Sequence, residues 1–313
     1  MLAPSSGLQN RKPFIILALG LLAVSTAAIF IRWAQETDTS SIVVAAGRLS
    51  VASLVLTPIT LRQYRPQLSA LRPVDLGFAL LSGLALSIHF AAWITSLEYT
   101  SVVNSVVLVT TTPLWVAMMA PFLLGEKLRQ YAIIGLVLAF VGGILVAVSG
   151  EAGDAPTRHD PLLGNGLAIL GAVMAAIYMM IGRNLRARLN VIPYIWLVYS
   201  TAAVILVLTV TISGEKVFGL RGEAYLWLLL LGLVPQLIGH SSFNYALGFL
   251  PAAYVSIVVL AEPVGSGILA AIFLKEIPGF VQLIGAAFIL LGIAIASRDQ
   301  LPHKKSATPI QKA

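Results

Sequence analysis

TTTPLWVAMMAPFLLGEKLRQYAIIGLVLAFVGG, residues 110–143, and LAEPVGSGILAAIFLKEIPGFVQLIGAAFILLGI, residues 260–293, decide the architecture between them. Each is an apolar run with a proline near its start, then a turn carrying a glutamate, then a second apolar run spaced by glycine. Sliding the chain against itself by 150 residues sets Pro113 on Pro263, Glu126 on Glu276, Gly135 on Gly285 and Gly142 on Gly292. Ile134 falls on Ile284 and, upstream, Leu97 on Leu247. Self-similarity at one fixed offset marks a duplicated unit.

Outward from these blocks the composition leaves little room for water as the main solvent. Of 313 residues, 58% are hydrophobic and 11% charged, against about 25% charged in a soluble domain. A helix needs about 20 apolar residues to cross about 30 Å of hydrocarbon. Ten runs meet that need, at approximately 14–31, 42–61, 74–95, 101–123, 131–149, 162–182, 192–213, 224–243, 251–273 and 279–297. They are continuous rather than alternating, which selects helices over barrel strands. The expectation is an all-α integral membrane protein of ten transmembrane helices. One five-helix repeat spans 14–149 and a second 162–297, with tails at 1–13 and 298–313. Five is odd, so the second copy enters the bilayer inverted relative to the first, the geometry of alternating access around a midplane site. The first run, behind Arg11 and Lys12, could pass for a secretory signal, but removing it would leave nine spans and break the repeat.

The net charge of +7 invites a nucleic-acid partner until the basic residues are placed. They lie in short loops. With an inside N-terminus, fourteen Lys and Arg fall on the inner side, among them Arg62, Arg65, Arg72, Arg183, Arg186 and Arg188. Five fall outside: Arg32, Arg158, Lys216, Arg221 and Lys275. This bias predicts a multi-pass protein of the plasma (inner) membrane with both termini cytoplasmic, in contact with the lipid bilayer and with no nucleic acid. The absence of cysteine excludes disulfides and thiolate chemistry.

The proline helix, the LGE or LKE turn and the Gly-spaced helix, present twice, resemble the EamA-type drug/metabolite transporter superfamily. The resemblance covers nearly the whole chain and is strongest over 101–149 and 251–297. It implies export or import of small metabolites such as amino acids, aromatic ones among them. Lys275 departs from the pattern where glycine is common, which suggests a second turn less tightly bent than the first at Gly125.

Several residues are candidates for a solute site. Glu262, mid-span beside Pro263, is an intramembrane carboxylate, costly enough to suggest a substrate-ammonium ligand or a proton-coupling group. A neutral acid bonded to a carbonyl freed by the proline is the structural alternative. His89 and His240 occupy nearly equivalent places in the two copies, each about one and a half turns from a helix end and on opposite membrane sides. They could bind solute, with His89 also a coupling candidate, or simply bond between helices. Arg48 lies within reach of the outer surface by snorkelling, or else receives a carboxylate. Trp93, Asn104, Trp115, Tyr178, Gln236, Phe243 and Asn244 are expected to face the cavity, with interface anchoring or packing as the alternative. Pro113 and Pro263 kink their helices, and Thr110, Thr111 and Thr112 supply hydroxyls to repair the freed backbone. Glu126 and Glu276 are read as turn residues capping the following helices. Gly135, Gly142, Gly285 and Gly292 permit close helix contact, within one chain or across a homodimer.

No P-loop, G-x-S-x-G, H-E-x-x-H or Gly-rich dinucleotide motif is present, so no cofactor and no resident metal is expected. The leading reading is a secondary transporter, not an enzyme, that exports a small-molecule substrate, an amino acid or related amphipathic solute. A lipid-linked solute flippase is the runner-up, and a membrane-embedded enzyme built on His89, His240 and Glu262 a more distant alternative.

Overall fold

The computed structural model describes residues 11–125, 130–148, 160–275 and 279–297, all of them helix or connecting turn. The first half runs α1 (Lys12–Ser25), α2 (Ala27–Gln35), α3 (Ser41–Gln63), the short α4 (Arg65–Ser69), α5 (Pro73–Tyr99), α6 (Val102–Val109), α7 (Thr112–Leu123) and α8 (Gln130–Val148). The second half runs α9 (Pro161–Arg186), α10 (Val191–Ile212), α11 (Gly222–Leu231), a π-helical segment (Gly232–His240), α12 (Ser241–Leu247), α13 (Ala252–Val259), α14 (Glu262–Phe273) and α15 (Phe280–Ser297). Among the described residues, eight helical stretches are long and apolar enough to cross a membrane, and the apolar parts of α8 and α15 are shorter.

Local chemistry sets the boundaries. Pro73 and Pro161 open α5 and α9, where a missing N–H costs nothing. The Ser101 hydroxyl accepts from the Asn104 amide at the head of α6, and Asp160 accepts from the Leu163 amide at the head of α9. After α7 and α14 the chain turns through a left-handed residue, Gly125 at φ 65° and Lys275 at φ 59°. The expected slackening at Lys275 is therefore overturned: the lysine takes the same conformation as the glycine, against the clash of its own Cβ. Glu126 and Glu276 lie outside the described residues, and their capping role with them.

Packing repeats with the halves exchanged. The first helix of each half crosses the third of the other, α9 on α5 and α1–α2 on α11, the π segment and α12, while α3 packs on α10 and α8 on α15. Helices in lipid gain nothing from burying apolar surface against each other, so close contact must hold them. At α8–α15 glycine makes that contact. A Cβ on Gly142 would stand 2.5 Å from the Gly285 carbonyl oxygen, and one on Gly292 would strike the Gly135 carbonyl. The four seam glycines are thus consumed within one chain. Leucine, valine and phenylalanine such as Leu54, Phe122, Val204 and Phe273 are left facing outward, as a lipid-facing shell requires.

Two details depart from expectation. The first span extends to Gln35, and Arg32, placed in an outer loop by the sequence, is a buried residue of α2 whose guanidinium donates to the Leu97 and Thr100 carbonyls. In the second half, the third span changes to a π-helix. Gly83 meets the Val198 carbonyl as Gly232 meets that of Arg48, a spacing of 149, whereas Leu97 and Leu247, near the ends of the same spans, match 150 apart. The π turn, whose i→i+5 bonds hold more residues per turn, takes up the one extra residue.

Candidate functional site

Each of the two proline-bearing spans consists of two half-helices that meet just ahead of its proline. Proline has no N–H to continue the ladder, and both spans break at the two residues that precede the proline-bearing half-helix. α6 stops at Val109 and α7 starts at Thr112, while α13 stops at Val259 and α14 starts at Glu262. Between them the bonds tighten to i→i−3, with Thr111 N–H donating to Leu108 O (3.1 Å) and Ala261 N–H to Val258 O (3.1 Å). The Thr112 hydroxyl donates to Val109 O at 2.9 Å, the backbone repair expected of it.

Against these breaks lies a cavity lined by both halves. From the first come His89, Trp93, Val109, Thr110 and Thr112, and from the second Ala175, Tyr178, Met179, His240, Phe243, Val259 and Glu262. Three pairs are repeat equivalents at the 150-residue offset: Trp93 with Phe243, Val109 with Val259, and Thr112 with Glu262. Among the described residues the wall is mainly aromatic and aliphatic, with two threonines, two histidines and one carboxylate. Glu262 stands at the first position of α14, is 7% exposed, and has no hydrogen bond or ion pair to its carboxylate among the described residues.

Six expected site residues, His89, Trp93, Tyr178, His240, Phe243 and Glu262, meet at this cavity. The expectation that the histidines sit at opposite faces is overturned, since their rings are 6.3 Å apart. Both spans run longer than the apolar runs suggested, so each histidine lies deeper and the crossed packing of halves brings them together. His89 Nδ1 lies 2.8 Å from the Gly171 carbonyl. The carbonyl can only accept, so Nδ1 carries the proton and Nε2 is left as an acceptor. His240 packs edge-on to Phe90 at 5.1 Å. Among the described residues, no three His, Asp or Glu groups converge as a metal set.

Arg48 does not snorkel. It is wholly buried, its guanidinium 4.1 Å from the Phe90 ring and its Nε donating to Gln236 Oε1 at 2.8 Å. The helix containing it is enclosed by α10, α5 and the π segment, which bars the path to the surface. Asn244 is also buried, donating to the Tyr178 hydroxyl and to His240 O (2.8 Å). Gln236 and Asn244 thus form a layer beside the cavity instead of its wall. Asn104 stays at the head of α6 and Trp115 packs half-buried against the core, neither reaching the cavity. Thr110, Thr112 and Met179 join the cavity wall, and Phe90 packs on His240 and Arg48; of these, Phe90 and Thr112 carry a signal in the repeat, as the partners of His240 and Glu262.

The known proteins most informative about this geometry are transporters. The EamA-like transporter family matches twice, over residues 11–148 and 162–298. An uncharacterized transporter of Clostridium kluyveri is 23% identical over 78% of this chain and 79% of its own length. One from Archaeoglobus fulgidus is 25% identical over 90% and 95%. A probable terminal-alkyne amino-acid exporter of Streptantibioticus cattleyicolor is 25% identical over 64% and 66%. A crystal structure at 20% identity, spanning 91% of this chain and 98% of its own, superposes with a TM-score of 0.72, which concerns the fold alone. With the family matched in both halves around a cavity they build jointly, the chain belongs to the EamA-like transporter family.

Proposed function

We propose that this protein is a ten-span secondary carrier that exports a small amino acid or related amphipathic solute across the plasma membrane by alternating access, with both termini cytoplasmic. The observation that carries the reading is the cavity itself. It lies against two half-helix breaks, one from each copy, and among the described residues it holds one carboxylate, Glu262, which faces Arg48 without a hydrogen bond or ion pair to it. An intramembrane carboxylate with no ion pair is stabilised by taking a proton or a cation. A solute ammonium meets that need, and so does a proton carried in exchange, so Glu262 is placed as ammonium ligand and coupling group. Trp93, Tyr178 and Phe243 supply apolar faces for the solute's body, and the His89 Nε2 lone pair a second acceptor. The amino-acid exporter among the relatives supports the solute class, and the inverted threading of the two copies supports the exchange of inward- and outward-open forms.

Purified protein in liposomes, loaded with a labelled amino-acid panel under an imposed proton gradient, tests the reading. Saturable flux of at least one amino acid that responds to the gradient is expected. No flux for any member, with the protein folded and inserted, would refute the substrate class.

A further inference from the structure

The buried guanidinium of Arg48 is not accounted for by the cavity chemistry. Its Nε is bonded to Gln236, but Nη1 and Nη2 are buried with no hydrogen-bond partner, and no carboxylate forms an ion pair with it among the described residues. Contact with the Phe90 ring offsets only part of the desolvation of a full charge. Its neighbours are also short of acceptors. Gln236 Oε1 faces the guanidinium, which fixes the amide so that Nε2 is the remaining donor, buried with only the Tyr199 hydroxyl beside it. The Trp93 ring lies 5.9 Å from the guanidinium carbon, and its Nε1, a donor only, is also buried and unpaired. Arg48 Nη1 and Nη2 and Trp93 Nε1, three nitrogen atoms that can only donate, are therefore buried in one side-chain cluster without an acceptor.

The fold does not require this arrangement. Val198 is the repeat equivalent of Arg48, and its carbonyl receives Gly83 as the Arg48 carbonyl receives Gly232. An apolar side chain serves there, fully buried. The polar cluster exists in one copy only, and it coincides with the π segment, from which Gln236 meets Arg48 on α3. A feature that costs stability, is absent from the equivalent position and sits beside a transport cavity calls for a ligand.

We propose that Arg48, Gln236 and Trp93 form a binding site for a small monovalent anion. Two sources share that chemistry: the carboxylate of the transported solute, and a free halide. The carboxylate source rests on the reading of the cavity as a solute chamber, while the site itself does not. Glu262 is the acid that faces Arg48, with His89, His240, Tyr178 and Tyr199 the other titratable groups around it. The internal competitor is therefore a Glu262–Arg48 pair formed in another conformation.

The test uses the purified full-length chain in detergent with sulfate setting the ionic strength, titrated separately with chloride, acetate and L-alanine while the unfolding midpoint is followed. A saturable rise with at least one of them is expected, weakened about tenfold or more in Arg48→Gln and in Gln236→Met. The glutamine variant guards against loss of fold at Arg48. A response to acetate and alanine but not chloride assigns the site to solute carboxylate, and a response to chloride assigns it to a free anion. No saturable response, or one unchanged in both variants, overturns the proposal. So does a response that appears only in Glu262→Gln, which would make Glu262 the guanidinium's partner. Binding is read without flux, so anion binding in a protein that fails the liposome assay would refute transport and leave this site standing.

Discussion

The two helix breaks have the same backbone and opposite chemistry. In the first, every residue ahead of Pro113 spends a hydroxyl on the chain. Thr110 donates to Val106 O and Val107 O, Thr111 to Leu108 O, and Thr112 to Val109 O. In the second, Leu260 and Ala261 have no hydroxyl to give, and the i→i−3 backbone bonds close the turn unaided. Yet both spans stop and restart at residues 150 apart. Proline and the crossed packing therefore set the break, and the threonines only furnish it. Glu262, standing where Thr112 stands, is not needed for local geometry, which is why the proposed function assigns it to what enters the cavity.

The largest effect should follow from removing that asymmetry. Glu262→Gln keeps the shape of the side chain and loses the charge, and solute flux in liposomes should fall about 10- to 100-fold, the worth of a charge-assisted contact. Its response to an imposed proton gradient should vanish as well. Flux and gradient response both unchanged would make Glu262 as dispensable as a furnishing threonine.

How much of this was legible in the sequence follows from what each signal measures. The duplication was readable because glycine and proline are demanded by backbone geometry. Gly142 and Gly292 face carbonyls that leave no room for a Cβ, so the same residue stands in both copies. The cavity was half readable: Glu262 and the histidines announce themselves by being polar in an apolar run. What hid their proximity was depth, because hydropathy ends a span where polarity begins, while α5 continues to Tyr99. Arg48 was misplaced for the same reason, since distance along one helix says nothing of the neighbours that enclose it. Phe90 gave no sign of its own, an aromatic in an apolar run being unremarkable until a guanidinium is found against it.

The seam compares the halves in stability instead of chemistry. Gly142→Ala should cost about 1–3 kcal/mol in a thermal or denaturant melt, because the obstacle is backbone and cannot rotate away. Gly292→Ala should cost the same. The double variant should cost less than the sum, since helices already parted by one methyl have less to lose from a second. Unequal single costs would show that the two crossings are not equivalent.

At the turns, the halves differ by a strain that can be relieved. Lys275 holds φ 59° where Gly125 holds 65°. Lys275→Gly should therefore raise stability by about 1 kcal/mol, and Gly125→Lys lower it by a similar amount. If neither moves the melt, the left-handed residue contributes nothing to closing these turns.

The smallest effect belongs to Thr112→Val, and it is the most pointed test of the comparison. The valine fills the same volume and loses the bond to Val109 O and the longer one, 3.4 Å, to Ala172 O. Hydroxyl bonds between helices in a membrane are worth about 0.6 kcal/mol on average, because the carbonyl left behind finds other partners. A melt should register no more than that, and flux should stay near the parent value, since the second break already operates without such a hydroxyl. A loss of flux comparable to that of Glu262→Gln would place Thr112 in contact with the solute. The two breaks would then be the two arms of one binding site, and the division between a furnished half and a reactive half would have to be abandoned.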